Sequence, residues 1–315
     1  MEADKDQPGK KQGFKSGFVA IKGFKSGFVA IIGAPNVGKS TLLNSILGKK
    51  VAIATPKPQT TRDLIRGILT GDNFQIVFVD TPGIHHSKKL LNKKLVKAAE
   101  KAVEDVDLIL FLVDVTNRNR KEEFAVLELI RKLKKPVILV LNKMDKVAKE
   151  NLLPLINEMS KMYPFEALIP ISAKYLDGVD ILLDEILKHL EEGPQFYDSM
   201  TSSDQSIEKI IEEVVREKIF LMAEQEVPYS TAVQVEEIHD DDDKVSIRAY
   251  IYVERPSQKG IIIGKGGKFI KKIGTLARQD LEKIFKKKVF LDLWVKVLKD
   301  WSKDEKALRR LGFEG

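Results

Sequence analysis

The sequence contains the phosphate-binding pattern G-x-x-x-x-G-K-[ST] at Gly33-Ala34-Pro35-Asn36-Val37-Gly38-Lys39-Ser40. Glycines in such a loop let backbone N–H groups approach phosphate oxygens, and a following helix adds a favourable dipole. We expect Lys39 to neutralise the β- and γ-phosphates, Ser40 to ligate Mg²⁺, and Thr41 to extend the contact. The alternative, an ordinary strand-to-helix turn, is disfavoured by the apolar strand that precedes the loop.

The motif Asp80-Thr81-Pro82-Gly83 follows an apolar strand and can serve both a metal and a phosphate. We expect Asp80 to hold Mg²⁺, directly or through water, because carboxylate oxygens are ligands that Mg²⁺ prefers. The Gly83 N–H can turn toward the γ-phosphate of a bound nucleotide. Thr81 and Pro82 are included among the predicted nucleotide-contacting residues.

A threonine pair between these two motifs, in Gln59-Thr60-Thr61-Arg62-Asp63, can act as a switch. A threonine hydroxyl here can reach Mg²⁺ while the γ-phosphate is present, and it is released after hydrolysis. We predict that Thr61 is this ligand and keep Thr60 as the second choice. A Pro-containing surface loop is the alternative interpretation of the same segment.

Two later motifs choose the base of the nucleotide. Asn142-Lys143-Met144-Asp145 ends an apolar strand, and the Asp145 carboxylate can accept from guanine N1–H and its 2-amino group. Adenine has no donors at these positions, so a P-loop ATPase is disfavoured. Ser172-Ala173-Lys174 ends the next strand, and we expect the Ala173 N–H to donate to guanine O6. The residues expected around the base are Asn142, Lys143, Asp145, Ser172, Ala173 and Lys174.

The elements that must position these motifs alternate between strand and helix from residue 27 to about residue 192. Several strand candidates are continuous apolar runs, which is typical of a parallel sheet with helices on both faces. The predicted strands are Phe28–Ile32, Gln75–Asp80, Leu108–Asp114, Val137–Asn142 and Ala167–Ile171. The predicted helices are Ser40–Leu47, Leu90–Glu104, Lys121–Leu133, Asn151–Tyr163 and Val179–Glu191. We expect Asp63–Thr70 to form an antiparallel edge strand.

A smaller unit follows Gly193, Pro194 and a polar stretch that is typical of a linker. Its predicted elements are, in order, helix Ser206–Glu224, strands Thr231–Ile238 and Val245–Val253, helices Ser257–Ile263 and Lys268–Phe285, and strand Val289–Val297. Residues 255–300 hold 13 Lys and Arg against 4 Asp and Glu, a local excess of +9 that exceeds the +7 of the whole chain. A basic patch this local predicts a polyanionic partner.

The loop Gly264-Lys265-Gly266-Gly267 lies between the last two helices of this basic unit. Small residues let the backbone of about four nucleotides lie between two helix ends, so RNA binding is favoured over a simple helix–helix turn. The predicted RNA contacts are Gly260, Ile262, Ile263, Gly264, Lys265, Gly266, Gly267, Lys268, Phe269, Lys271 and Lys272, and the apolar members are expected mainly to pack the helices. Leu293–Val297 is predicted as a buried edge strand rather than a stacking platform.

At these motifs the chain resembles the Era family of translation-associated GTPases, from about Lys25 to Gly315. GAPNVGKS, QTTRD, DTPG, NKMD and SAK occur in the family's order. The resemblance implies an α/β GTPase domain with a mostly parallel sheet, followed by a smaller α+β type II KH domain that binds RNA. It also implies a role in maturation of the small ribosomal subunit, through the 3′ region of its ribosomal RNA. The expected boundaries are an extension at 1–24, a GTPase domain at 25–193, a linker at 194–205, a KH domain at 206–300 and a tail at 301–315.

The residue after DTPG is Ile84, where many signalling GTPases carry a glutamine that orients water. An isoleucine cannot polarise water, so a slow intrinsic GTP hydrolysis is expected. The resemblance implies that Asn36 helps to hold a K⁺ ion that stimulates the reaction. We expect Lys39, Thr61, Gly83 and Asn36 to carry catalysis. The adjacent His85 and His86 point in different directions and make a poor metal site.

Composition limits the alternatives. The chain has no cysteine, an N-terminus that is polar rather than signal-like, and no apolar run of the roughly 18 residues that a membrane span requires. We expect a cytoplasmic monomer. The alternatives are a plain RNA-binding protein with a structural nucleotide pocket, and a membrane-associated GTPase that places its basic face on anionic lipid at the inner face of the cell membrane.

The stretch GFKSGFVAI occurs twice, at Gly13–Ile21 and at Gly23–Ile31. Only the second copy leads directly into the phosphate-binding loop, so we predict that it contains the central strand. The first copy leads into Lys22 and Gly23-Phe24-Lys25-Ser26, which cannot bind phosphate in the same way. It is interpreted as a tandem duplication in an N-terminal extension, either without fixed structure or forming an added edge strand.

Overall fold

A six-stranded sheet lies at the centre of the first unit in the computed structural model, which describes residues 23–55, 57, 61–62, 64–83 and 90–313. Its strands are β1 Lys25–Gly33, β2 Ile65–Thr70, β3 Phe74–Asp80, β4 Leu108–Asp114, β5 Val137–Asn142 and β6 Ala167–Pro170. Their order is β2-β3-β1-β4-β5-β6, and all neighbours are parallel except β2 and β3. The prediction of a mostly parallel sheet with one antiparallel edge strand is confirmed.

Five helices cover both faces of this sheet: α1 Lys39–Leu47, α2 Leu90–Glu104, α3 Arg120–Leu133, α4 Lys149–Met159 and α5 Val179–His189. On one face, Leu42 of α1 and Ile186 of α5 are buried against the strands. On the other face, Val126 of α3 and Met159 of α4 do the same. The central strands therefore have apolar side chains on both sides, which explains their continuous apolar runs.

The second copy of the repeated stretch forms β1, which begins three residues earlier than predicted. Lys25 pairs with Phe74 of β3, and the Lys25 N–H donates to the Asn73 carbonyl at 2.9 Å. Pairing with β3 therefore extends the strand beyond its apolar run, which is the only signal that the sequence carries. Residues 1–22, with the first copy at Gly13–Ile21, lie outside the described residues.

The predicted linker runs along the edge of the sheet. Ile68 of β2 donates its N–H to the Ser202 carbonyl at 3.0 Å, and Gly67 forms an antiparallel bridge with Ser203. Farther along, the buried Gln75 side chain accepts from the N–H groups of Phe196 and Tyr197 at 2.8 and 2.9 Å. The segment thus covers part of an edge strand that would otherwise expose unpaired backbone groups.

A three-stranded sheet forms the second unit, with two long helices packed on one face. Its elements are α6 Ile207–Met222, β7 Thr231–Asp240, β8 Lys244–Val253, α7 Pro256–Ile263, α8 Lys268–Phe285, β9 Lys288–Val297 and α9 Glu305–Arg310. The strand order is β7-β8-β9, with β7 antiparallel and β9 parallel to β8. Ile211 of α6 and Ile273 of α8 lie in its core. The predicted α+β order is confirmed.

The opposite face of this sheet is covered at one end only. Trp301, which precedes α9, and Leu308 of α9 are fully buried and pack there with Tyr252 of β8 and with Leu91 and Leu95 of α2. The residues after 300, predicted as a tail, therefore join the two units.

The other end of that face is open, and the expectation of a buried strand at Leu293–Val297 was only half right. Val295 is buried, but the Trp294 ring is 57% exposed and Phe290 is 61% exposed on the same strand. Neighbouring residues of a strand point to opposite faces, so one apolar run can have one face in the core and one in solvent.

Candidate nucleotide-binding and RNA-binding sites

The phosphate-binding loop connects β1 to α1, as predicted, and packs against β5. Gly38 has a φ of 104°, and a Cβ atom there would lie 2.3 Å from Nδ2 of Asn142. Only glycine fits this position, because the backbone is left-handed and the neighbouring side chain leaves no room. The loop backbone is therefore free to face a phosphate group at the amino end of α1.

Lys39 folds back over this loop. Its Nζ donates to the carbonyls of Gly33 and Ala34 at 3.1 and 2.9 Å, and the residue is buried. Burial lowers the pKa of Lys39 to about 8, although the negative charges of Asp80 and Glu122 oppose this shift. Phosphate oxygens would supply the negative charge that stabilises the ammonium form.

Three oxygen ligands meet beside Lys39. The Ser40 hydroxyl donates to Oδ2 of Asp80 at 2.7 Å and lies 3.0 Å from the Thr61 hydroxyl. Asp80 is fully buried, and its Oδ1 has no hydrogen-bond partner among the residues described. Burial raises the pKa of Asp80 to about 6, opposed by the charge of Lys39 and the bond from Ser40. An unpaired buried oxygen beside two hydroxyls fits Mg²⁺, which uses few carboxylates and completes its shell with water and phosphate.

No cluster of three or more His, Cys, Asp or Glu side chains that could hold a metal occurs in the described part of the chain. The predicted Mg²⁺ ligands, one carboxylate and two hydroxyls, are not a cluster of this kind. Thr60, Ile84, His85 and His86 lie outside the described residues.

The DTPG motif lies against the phosphate-binding loop. Its Thr81 holds two strands together, whereas its Gly83 faces the loop. The buried Thr81 hydroxyl donates to the Ile31 carbonyl at 3.1 Å, so Thr81 ties β3 to β1 rather than facing the cleft. Pro82 is buried as well. A Cβ atom on Gly83 would lie 3.1 Å from the backbone of Pro35, which shows how closely the two loops approach.

Asn142 connects three of the predicted motifs. Its Nδ2 donates to the Val37 carbonyl at 2.8 Å, and its Oδ1 accepts from the backbone N–H groups of Lys143 and Ala173 at 2.8 and 3.0 Å. The Ala173 N–H, expected to donate to guanine, therefore donates to Asn142 instead. A buried amide with all three contacts satisfied fixes the positions of the loops around the base.

Lys143 contacts Asp114, a residue that was not predicted from the sequence. Its Nζ donates to the Asn36 carbonyl at 2.8 Å and to Oδ2 of Asp114 at 2.5 Å. Burial opposes ionisation, but the bonds from Lys143 and Thr116 hold the pKa of Asp114 below its usual value. Asp114 ends β4 at the same edge as the other motifs, and that position was the available signal.

Asp145 is exposed and already oriented. The buried Ser172 hydroxyl donates to its Oδ1 at 2.6 Å, which leaves the carboxylate free to accept further donors. The neighbouring cleft has a volume of about 720 Å³. It is lined by Pro35, Asn36, Gly38, Lys39, Ser40, Thr41, Ile53, Ala54, Thr55, Thr61, Gly83, Lys143 and Lys174. The prediction did not include residues 53–55, which have no motif of their own.

The Gly-Lys-Gly-Gly loop presents its backbone to solvent. Gly264, Gly266 and Gly267 have φ values of 71°, 59° and 74°, in the left-handed region that favours glycine. Cβ atoms on Gly266 and Gly267 would meet nothing within 4 Å. Lys265 is exposed beside them, so a phosphate can approach the loop freely.

A groove between α8 and β9 continues from this loop. It has a volume of about 430 Å³ and is lined by Ile270, Lys271, Gly274, Thr275, Arg278, Val289, Phe290, Leu291 and Leu293. Of the predicted RNA contacts, only Lys271 lines it, whereas Gly260, Lys265, Lys268 and Lys272 are exposed nearby. The residues of β9 and Arg278 were missed because the groove joins elements that are separate in sequence.

The apolar residues predicted near the RNA divide differently. Ile262 is fully buried in the core of the second unit, so its proposed contact with RNA was wrong. Ile263 and Phe269 are partly buried and pack on the same core.

Helix α8 contacts the first unit on its other side. Lys50, just after α1, donates to Glu217 of α6 at 2.5 Å and lies 3.3 Å from Asp280 of α8. Lys218 pairs with both of these acids. Burial opposes ionisation, but Lys218 and Lys50 together hold the pKa of Asp280 to about 2. The helix that borders the groove beside β9 is thus joined to the unit that carries the phosphate-binding loop.

Comparisons with known proteins agree with this geometry. A family model described as 50S ribosome-binding GTPase matches residues 28–143, and a KH domain model matches residues 226–302. GTPase Era of Ruminiclostridium cellulolyticum is 45% identical over 302 residues, which cover 96% of this chain and 98% of that protein. GTPase Era of Syntrophus aciditrophicus is 48% identical over 302 residues, or 95% of each chain.

Two solved structures are similar over both units. A variant of Aquifex aeolicus Era bound to GDP and AlF4⁻ has a TM-score of 0.89 at 41% identity, covering 93% of this chain and all of that one. Era in complex with MgGDPNP and nucleotides 1506–1542 of 16S ribosomal RNA has a TM-score of 0.90 at 42% identity, with the same coverage.

A phosphate-binding loop and the motifs predicted to hold Mg²⁺ and guanine lie on one sheet edge, and the matches to a GTPase model and a KH domain model define a two-domain GTPase with a KH domain. The matches to relatives extend over nearly the whole length of this chain and of theirs. The chain belongs to the Era family of GTPases.

Proposed function

We propose that this protein is a GTP-hydrolysing switch that binds the 3′ region of 16S ribosomal RNA and assists assembly of the small ribosomal subunit. Hydrolysis takes place in the cleft between the phosphate-binding loop and Thr61, with Mg²⁺ on Ser40, Thr61 and Asp80. One observation carries the proposal: the Ser40 hydroxyl contacts both the Thr61 hydroxyl and Oδ2 of buried Asp80, whose Oδ1 has no hydrogen-bond partner within the described part of the chain. When bound, Mg²⁺ would neutralise the charge that develops on the phosphates.

The predicted residues in and near the cleft have different roles in the reaction. Lys39 places a positive charge beside the β- and γ-phosphates, and Thr61 contacts the metal only when the γ-phosphate is present. Gly83 directs its N–H to the same phosphate. Asp145, oriented by Ser172, accepts from guanine, while Asn142 holds the loops in register.

The RNA partner is proposed from the likeness to Era in complex with nucleotides 1506–1542 of 16S ribosomal RNA, which extends over both domains. The family model that names the 50S ribosome matches only residues 28–143 and so does not include the RNA-binding domain. The exposed glycine loop and the groove beside α8 fit single-stranded RNA, whose backbone passes the loop while its bases enter the groove.

We place the GTPase domain at 25–193, the linker at 194–205 and the KH domain at 206–300, with the protein acting as a cytoplasmic monomer. The comparisons lend no support to the alternative of a membrane-associated GTPase. No helix of the described residues is both long and apolar enough to cross a membrane.

The central experiment measures GTP turnover by the full chain, with Mg²⁺, in the presence and absence of a 16S 3′-end RNA. We expect slow turnover alone and a change in rate when RNA is added. A chain that binds GTP and RNA but never releases phosphate would instead be an RNA-binding protein with a structural nucleotide pocket.

Asp145→Asn is expected to weaken GTP binding about 10- to 100-fold, because an amide cannot accept from both guanine donors and one of them loses its partner. Xanthosine triphosphate has a carbonyl in place of the 2-amino group, so the variant should bind it more tightly than the wild type does. Competition with a fluorescent GDP measures both affinities. Asp177→Asn, a nearby exposed change, serves as the control. Equal GTP affinity in the Asp145 variant and the wild type would remove this residue from base recognition.

Stimulation by K⁺ is a separate prediction. Asn36 lines the cleft in a left-handed conformation with a φ of 65°, beside the phosphates. We expect faster turnover in K⁺ than in Na⁺, and we expect Asn36→Asp to lose the difference. Turnover is measured at constant ionic strength. If K⁺ is no better than Na⁺ and the variant keeps its full rate, the ion has no role.

A further inference from the structure

Arg62 is the residue after Thr61, yet its side chain lies in the other domain. It is 4% exposed, and its guanidinium donates to the carbonyls of Thr231, Tyr229 and Pro228 at 2.6, 2.9 and 3.5 Å. A surface loop has no structural need for so deeply buried a charge. Arginine suits this environment because its five N–H donors lie in a fixed plane and can satisfy several carbonyls at once.

Aromatic rings complete the binding of this guanidinium. The ring centroids of Phe220 and Trp301 lie 5.9 and 5.8 Å from its central carbon, within the range of a cation–π contact. We call these two rings and the three carbonyls the arginine cage. Its members are themselves fixed, because the Trp301 indole donates to the Ser230 carbonyl at 3.0 Å and the Thr231 hydroxyl to the Pro228 carbonyl at 2.8 Å.

The cage lies one residue from the metal site. Consecutive Cα atoms are about 3.8 Å apart, so fixing Arg62 also restricts where Thr61 can lie. Thr61 is buried, with its hydroxyl 3.0 Å from Ser40. We propose that Arg62 is a positioning residue for GTP hydrolysis: anchored in the KH domain and the C-terminal segment, it holds Thr61 at the magnesium site. Hydrolysis then depends on the contact between Arg62 and the second domain.

Two lysines of the first domain also contact the second domain, and one of them can be compared with Arg62. Lys50 reaches Glu217 and Asp280, and Lys57 donates to the Ala223 carbonyl. Lys50 is eleven residues from Thr61 in sequence, so removing its side chain weakens domain contact without touching the segment that carries Thr61. If the effect on hydrolysis passes through Arg62, removing the Arg62 side chain lowers the hydrolysis rate and removing the Lys50 side chain does not. If the effect comes from domain docking in general, both changes lower the rate.

The experiment compares full-length wild type with Arg62→Met, Arg62→Lys and Lys50→Ala. Arg62→Met keeps an unbranched apolar stem but lacks the guanidinium and all its donors, so we expect the rate of hydrolysis at saturating GTP to fall at least tenfold. GDP affinity should stay within twofold, because GDP binding does not require Thr61. The ratio of affinities for a non-hydrolysable GTP analogue and GDP should fall as well. Arg62→Lys should be intermediate and Lys50→Ala within twofold of wild type in all three measurements.

Phe220→Leu tests the cage from the other domain, and it keeps the inference testable if an Arg62 variant is unstable by thermal melting. We expect it to lower the hydrolysis rate severalfold with GDP affinity retained, and to add nothing further in an Arg62→Met background. The inference is overturned if Arg62→Met hydrolyses GTP at the wild-type rate, if Lys50→Ala loses as much, or if Phe220→Leu has no effect. It rests on the proposed GTPase function, whose failure would show separately as no turnover by the wild type.

Discussion

Lys39→Ala is expected to lower GTP turnover about 10²- to 10³-fold, the effect of removing one preorganised charge from a site where negative charge develops. The structure gives the reason. The ammonium group is buried, bound to the Gly33 and Ala34 carbonyls, and close enough to Asp80 for their charges to interact. The other two lysines that line the described cleft are engaged elsewhere, Lys143 with Asp114 and the Asn36 carbonyl and Lys174 with the Tyr175 hydroxyl. Single-turnover hydrolysis at saturating GTP measures the loss.

Lys49→Ala is the matched control, because Lys49 is an exposed lysine just after the same helix. It should keep wild-type turnover. Thermal melting shows whether either variant has lost its fold. A folded Lys39→Ala protein with turnover within threefold of wild type would contradict the assignment of the catalytic cleft.

The double variant Gly266→Asp, Gly267→Asp is expected to weaken binding of a 16S 3′-end RNA about 100-fold. Two carboxylates would be placed where the RNA phosphates pass, and like charges near a protein surface repel by up to a few kcal/mol before salt screening. A loss of about 2.7 kcal/mol corresponds to the expected factor. Filter binding or fluorescence anisotropy at fixed salt measures it. Basal GTP hydrolysis without RNA should be unchanged.

Gly48→Asp offers a close control for backbone strain. Gly48 has a φ of 60° and open space around its Cα, as Gly266 and Gly267 do, but it lies in the GTPase domain. It should leave RNA affinity within twofold of wild type. RNA binding by the double variant with wild-type affinity would mean that the RNA follows another path over the protein.

The sequence allowed the elements of the parallel sheet to be predicted well, because each had a strong local pattern. The bounds of β4 and α8 match the prediction at both ends, since the apolar run of β4 ends at Asp114 and the amphipathic repeat of α8 gives way to a lysine at Lys286. The bounds of α4 do not. It begins two residues early and ends at Met159 rather than Tyr163, because the chain turns at Ser160 and Lys161 to enter β6. No feature of the local sequence predicts that turn.

The site shows the same division. Ser40, Thr61 and Asp80 were predicted as Mg²⁺ ligands from their motifs, and the structure places the Ser40 hydroxyl within hydrogen-bond distance of the other two side chains. Asp114 and the cage around Arg62 were not predicted. The carbonyls that bind Arg62 lie about 170 residues along the chain, and backbone acceptors leave no signal in a sequence because every residue carries one. Contacts between domains therefore required the structure.

Helix α8 lies between the proposed RNA-binding groove and the nucleotide domain, so it can couple the free energies of RNA and GTP binding. One side of this helix borders the RNA groove through Lys271 and Arg278, and the other contacts Lys50 through Asp280. A rigid helix that shifts when RNA enters the groove must also shift against the nucleotide domain. Binding free energies are reciprocal: whatever factor GTP applies to RNA affinity, RNA must apply to GTP affinity. If the proposed function holds, the concentration of the RNA partner would thus influence how much of this protein carries GTP.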